Sequence, residues 1–144
     1  MELEDYEKVY GLWNQIQGFG IRSIDDSKEG VERFLKRNPT TSVVAEQNGR
    51  IVGSVMCGHD GRTGCLYHVC VAKDYRKHGV GAKMVKAALL ALRDENISKV
   101  MLIAFCSNEG GNAFWKELGW TRRQDVNYYE FVLNEDNVTS FVER

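Results

Sequence analysis

Residues 74–85 read DYRKHGVGAKMV: three basic side chains in a row, two glycines one residue apart, then an amphipathic pattern. Upstream, CLYHVCV (65–71) is rich in β-branched and aromatic residues, as a strand is. Downstream, Met84, Val85, Ala88, Leu89 and Leu92 share one helical face. A strand therefore ends at Val71 and a helix opens near Gly81 or Ala82. The first amides of such a helix have no intrahelical partner and carry the positive end of its dipole. Gly79 and Gly81 leave that backbone open to close approach, and Arg76, Lys77 and His78 surround it with positive charge. The combination is a phosphate site in physical terms.

Two familiar phosphate loops are excluded. A P-loop needs GxxxxGK followed by Ser or Thr, which is absent. A dinucleotide fingerprint needs a third glycine where Met84 stands, and no acidic residue closes a strand about 20 residues on.

Composition bounds the partners. The chain has 144 residues, 43% hydrophobic and 27% charged, which suits a soluble domain with a core of its own. Net charge is −1, so no global field draws it to nucleic acid or an anionic membrane, and neither is expected as a partner. The acidic start MELEDYEK carries no signal-peptide pattern, and no apolar run approaches a membrane span. Cys57, Cys65, Cys70 and Cys106 form no CxxC and sit in apolar contexts. They are read as buried, reduced thiols in a cytoplasmic protein, with no metal.

The remaining pattern gives an element order. EDYEKVYGLWNQI (4–16) and SKEGVERFLKR (27–37) have helical spacing, the second capped by Ser27 and closed by Pro39. Two strand-like runs then flank Asn48-Gly49, a strong hairpin signal. HDGRTG (59–64) is a turn. KVMLIAFC (99–106) is a continuous apolar run, as in a strand buried on both faces. A short helix follows from Ser107 or Asn108 to Gly119, and YYEFVL (128–133) is a last strand. The fold class is α/β, of the mixed α+β kind.

These motifs resemble the Gcn5-related N-acetyltransferases, the GNAT superfamily. Its signature is a strand ending in valine, then Arg or Gln-x-x-Gly-x-Gly or Ala opening a helix; here it reads VCVAKDYRKHGVGA. A second motif, an asparagine and then an aromatic before Leu-Gly-Phe, is matched by SNEGGNAFWKELGW. The likeness spans roughly residues 2–133 and is nearest to a poorly characterised bacterial branch. It implies residues 1–144 as one N-acetyltransferase domain with a mixed, mostly antiparallel sheet between helices, parted at its two central strands, 65–71 and 99–106. It also implies acetyl-CoA as co-substrate, with amides from Lys77, His78, Gly79, Val80, Gly81 and Ala82 on the pyrophosphate. Val69, Cys70 and Val71 would pair with the pantetheine arm along a bulged strand, and Asn108 would bind nearby. The implied acceptor is an amine, on a small molecule, a lysine or a peptide N-terminus. Homodimers are common in the superfamily.

The chain departs from that pattern at its chemistry. A lysine-like amine must lose a proton first, at a cost of about 4.6 kcal/mol at neutral pH. Relatives place a glutamate base where this chain has Cys65 or Ile103, and a tyrosine acid where it has Trp115. Tyr67, Asp60 and Glu46 remain as candidate bases. His68 has opposite strand parity to Tyr67 and is read as a satisfied histidine facing the other side. Without the glutamates and the tyrosine, the alternative is an acyl-CoA sensor of weak or no activity. Only MEL is left for the usual first strand.

Overall fold

The computed structural model describes residues 1–143. Four strands form the main sheet in the order β2–β3–β4–β5: β2 (Val43–Gln47), β3 (Arg50–His59), β4 (Gly64–Val71) and β5 (Val100–Met101). The first three are antiparallel, and β5 joins β4 in parallel. Asn48 (φ 51°) and Gly49 (φ 77°) turn the β2–β3 hairpin, both in the left-handed region such a turn demands.

β3 is the spine. Its residues 51–58 are all buried, because helices cover both faces of the sheet. On one face α1 (Tyr6–Trp13) and α2 (Lys28–Arg37) bring Val9, Leu12, Trp13, Val31 and Leu35 against Val52, Met56 and Cys70. On the other, α3 (Val80–Asp94) packs Met84, Val85, Ala88 and Leu92 on Val55, Cys57 and Leu66. Each such apolar side chain contributes about 1.5–3 kcal/mol by leaving water. Ser27 caps α2 as expected, its hydroxyl accepting from the Gly30 amide at 3.1 Å.

The expected elements largely form, with four differences. Leu3–Asp5 make one 3-10 turn instead of a first strand, which leaves β2 as the sheet edge. The expected strand 99–106 pairs only at Val100 and Met101, since β4 turns away beyond them. YYEFVL joins no ladder. A separate two-stranded sheet, too short to show periodicity, pairs β1 (Gly20–Arg22) with β6 (Thr139–Phe141). The last helix, α4 (Glu109–Glu117), is capped by Asn108 and stops before Gly119 at φ 89°.

Candidate active site

The site begins with an irregularity in β4. Met56 faces Tyr67 and Ser54 faces Cys70, so one residue of β3 opposes two of β4, His68 and Val69. His68 takes φ 50° to accommodate this bulge. The extra residue resets the side-chain alternation. Leu66, Val69 and Val71 lie on the α3 face, whereas Tyr67 and His68 both lie on the α1/α2 face, touching Phe34 and Trp13 respectively. The sequence expectation that His68 faces away from Tyr67 is thus corrected, because strand parity fails across a bulge.

The bulge also parts the sheet. β4 and β5 pair at Gly64–Val100 and Cys65–Met101 and nowhere beyond, so a slot opens between 66–71 and 102–106. At its open end β4 runs into the 73–79 turn and the start of α3. Gly79 caps α3 in the left-handed region at φ 80°, where a β-carbon is costly. The amides of Gly79, Val80, Gly81 and Ala82 meet no acceptor among the described residues.

The other features of the turn divide their labour differently than its sequence suggests. Gly81 is bare to make room for protein: a β-carbon there would meet the Phe114 ring at 3.2 Å and Val71 at 3.6 Å. Arg76 spends its Nε on the Val71 carbonyl, donating at 3.0 Å, and so ties the turn to the end of β4. Lys77 and His78 are exposed, and Lys77 is itself left-handed at φ 65°. Asn108 uses its Oδ1 to cap α4, accepting from the Gly111 amide at 3.0 Å. Trp115 is half-buried between Phe114 and Trp120, with ring centroids 4.9 Å away in each case.

Across the bulge stands a group of titratable side chains. His68 Nε2 lies 2.8 Å from Oδ1 of Asp26, a carboxylate only 4% exposed. Asp26 Oδ2 accepts from the Arg22 amide at 2.7 Å, so both carboxylate oxygens are engaged. Phe19 and Trp13 hold the imidazole from two sides, at centroid distances of 4.7 and 4.6 Å. The Trp13 indole donates to Ser54 Oγ, which donates in turn to the His68 carbonyl, so the bulge is pinned from the core. In the neutral tautomer that donates Nε2–H to Asp26, Nδ1 is the ring's acceptor.

Tyr67 is beside this pair, edge-on to Phe34 at 5.9 Å. The side chain is 51% exposed; partial desolvation, aided by the Cys65 thiol, raises its pKa above that of a free phenol. Asp60 is fully exposed in the β3–β4 turn, where Oδ1 accepts from the Arg62 and Thr63 amides at 2.8 and 2.9 Å. Those amides lower its pKa, and it sits beyond the paired end of β4, away from the slot. Glu46 is on β2, at the opposite edge of the sheet. Neither is brought to the slot. Trp13 is core at 0% exposure. His68 with Asp26 is the pair that sequence reasoning missed, and the only signal lay in a bulge that strand periodicity cannot register. Cys106 is exposed, unlike the buried thiols expected, while Cys57 and Cys70 are buried.

A bulged strand thus parts from its parallel neighbour and is aimed at a helix whose first amides are free. Residues 6–120 match the Acetyltransferase (GNAT) family. An acetyltransferase of Pectobacterium atrosepticum is 31% identical over 115 residues, 80% of either chain. One from Sodalis glossinidius is 28% identical over 123 residues, 85% of either chain. In fold, the chain is similar to an aminoglycoside N-acetyltransferase solved with CoA (TM-score 0.72, 17% identity, 91% of each chain covered). The chain belongs to the GNAT acetyltransferase family.

Proposed function

We propose that this chain transfers the acetyl group of acetyl-CoA to a primary amine by direct attack in a ternary complex. The observation that carries the reading is the slot between β4 and β5 ending at four unpartnered amides, Gly79 to Ala82. Those amides, with Lys77 and His78, suit the diphosphate. The β4 backbone at Val69, Cys70 and Val71 lines the slot and offers strand-like pairing to the pantetheine arm. Arg76 holds turn and strand together, and Asn108 and Trp115 form the wall from α4.

Bound acetyl-CoA supplies an activated acyl carbon and a thiol leaving group. His68 takes the amine proton at Nδ1, while Asp26 fixes the tautomer and balances the imidazolium that results. Tyr67, which keeps its proton, donates a hydrogen bond to the departing thiolate, and that sulfur takes its proton from solvent. Asp60 shapes its turn only. Phe19 and Arg22 border the acceptor side, which fits an amine on a small molecule, a lysine or a peptide N-terminus. Four free thiols accord with a reducing cytoplasm. No helix among the described residues is long and apolar enough to cross a membrane.

Thiol release from acetyl-CoA with a panel of amines tests the reading. Turnover with any of them, lost in H68Q with CoA binding retained, is the expected result. Binding without release for every amine would mean a sensor and overturn it.

A further inference from the structure

One stripe of α1 meets the tip of the β2–β3 hairpin, and a groove of about 310 Å³ lies between them. Its base is apolar, from Leu12 and Ile51, and its sides carry Lys8 and Arg50. Lys8, Gly11, Leu12 and Gln15 follow one another at i, i+3, i+4 and i+7, so one helix face builds a whole wall. No acidic side chain lines the groove, and neither cation forms an ion pair among the described residues.

The fold holds both cations in place. The Lys8 ammonium donates to the Gly49 carbonyl at 2.9 Å, which ties α1 to the hairpin tip. The Arg50 guanidinium lies 5.4 Å from the centroid of the Tyr75 ring, and Tyr75 packs against the α1/α2 core. A guanidinium oriented by a ring, with no carboxylate beside it, keeps its planar fork for an anion.

Gly11 adds an independent sign. It is inside α1, its φ is negative, and a β-carbon there would meet nothing within 4 Å. Neither backbone nor packing calls for glycine, and glycine weakens a helix interior relative to alanine. Its bareness keeps the groove open. A local rule broken with no packing gain is a mark of function.

We infer that this groove binds a small organic anion, with one carboxylate or phosphate head between Lys8 and Arg50 and an apolar body on Leu12 and Ile51. The volume is at the small end of ligand cavities. The groove adjoins β3 near the β2 edge, whereas the acetyl-transfer slot lies beyond β4, and the two share no residue. The ligand is therefore a third one, beside acetyl-CoA and the amine.

Benzoate is the probe, since it joins one carboxylate to one apolar ring. Titrated into the full chain and followed by NMR, it should bind with a Kd on the order of millimolar and shift the amides of Gly11, Gly49 and Arg50. Benzamide, of the same shape without the charge, should bind at least about tenfold more weakly. Phenyl phosphate in place of benzoate decides which head is preferred, and inorganic phosphate alone should bind more weakly than either. R50Q and K8Q should each weaken benzoate about fivefold or more. G11L should fill the groove and abolish binding, with a Tm at or above that of the unaltered chain. No shift with benzoate or phenyl phosphate, shifts confined to the slot, displacement of benzoate by CoA, benzamide or inorganic phosphate binding as well as benzoate, or binding retained in G11L would each overturn the inference.

Discussion

The two halves of this molecule differ in how completely they are covered. From Tyr6 to Leu92, helices close both faces of β3, and Trp13, Val55 and Ala88 have no exposed surface. From Met101 to Asp136 the chain is of comparable apolar character, yet Ile103, Phe131 and Leu133 stand in water. The covered half builds the slot and pins the bulge, so the chemistry depends on rigid packing. The bare half leaves its apolar surface open. Apolar sequence alone therefore does not state which segments a fold covers.

The strongest way to break this contrast is at the bulge. Replacing His68 by Gln should lower kcat/KM by about 10²–10⁴-fold while CoA affinity, read by calorimetry, holds. Asp26→Asn should follow it in the same direction and displace the pH profile; unchanged rates for both would remove the pair from catalysis.

Stability separates the halves next. Leu92→Ala, in the covered half, should cost about 2–5 kcal/mol in urea titration. Leu133→Ala, at a side chain 93% exposed, should stay within about 0.5 kcal/mol. Equal losses would erase the distinction.

A smaller effect is expected at the cradle. Gly79→Val forces a branched residue into the left-handed region at φ 80°, with open space around the β-carbon. The strain of about 1–2 kcal/mol should weaken CoA binding some 5–30-fold, if the amides hold the diphosphate. Fluorescence or calorimetric titration decides this, and an unaltered Kd would move the phosphate elsewhere.

The smallest effect is alkaline. Burial pushes the Cys57 and Cys70 thiols up to about 11 from 9.0. The unfolded chain ionises them first, so their contribution is full below pH 9 and is lost as pH rises to about 11. Tm should fall across that window, and less steeply in a C57A/C70A variant. Matching slopes would show that the thiols are not as dry as their packing indicates.

Much of the covered half was legible in the sequence because its signals are local. Asn48-Gly49 needs only its own dihedrals to turn a hairpin, Ser27 caps α2 from three residues away, and Gly79 announces the start of α3. The free-amide end of the slot belongs to the same kind, being made of consecutive residues, 79–82. His68 and Asp26 were hidden for the opposite reason. They are 42 residues apart and meet only because one extra residue in β4 turns an imidazole across the sheet.

What the sequence determined by itself was a class: one strand, one glycine-bearing turn and one helix in series, whose first amides are left free and suit an anion. Tertiary structure alone decided which groups stand opposite that turn. It made Gly81 a packing contact with Phe114, turned Trp13 inward, and retired Asp60 to its own turn. It also left 126–133 without a neighbour in its own chain. Helix starts and hairpins are fixed by dihedrals over a few residues, whereas a proton relay or a strand's partner is fixed by contacts between distant segments, and no local pattern encodes those.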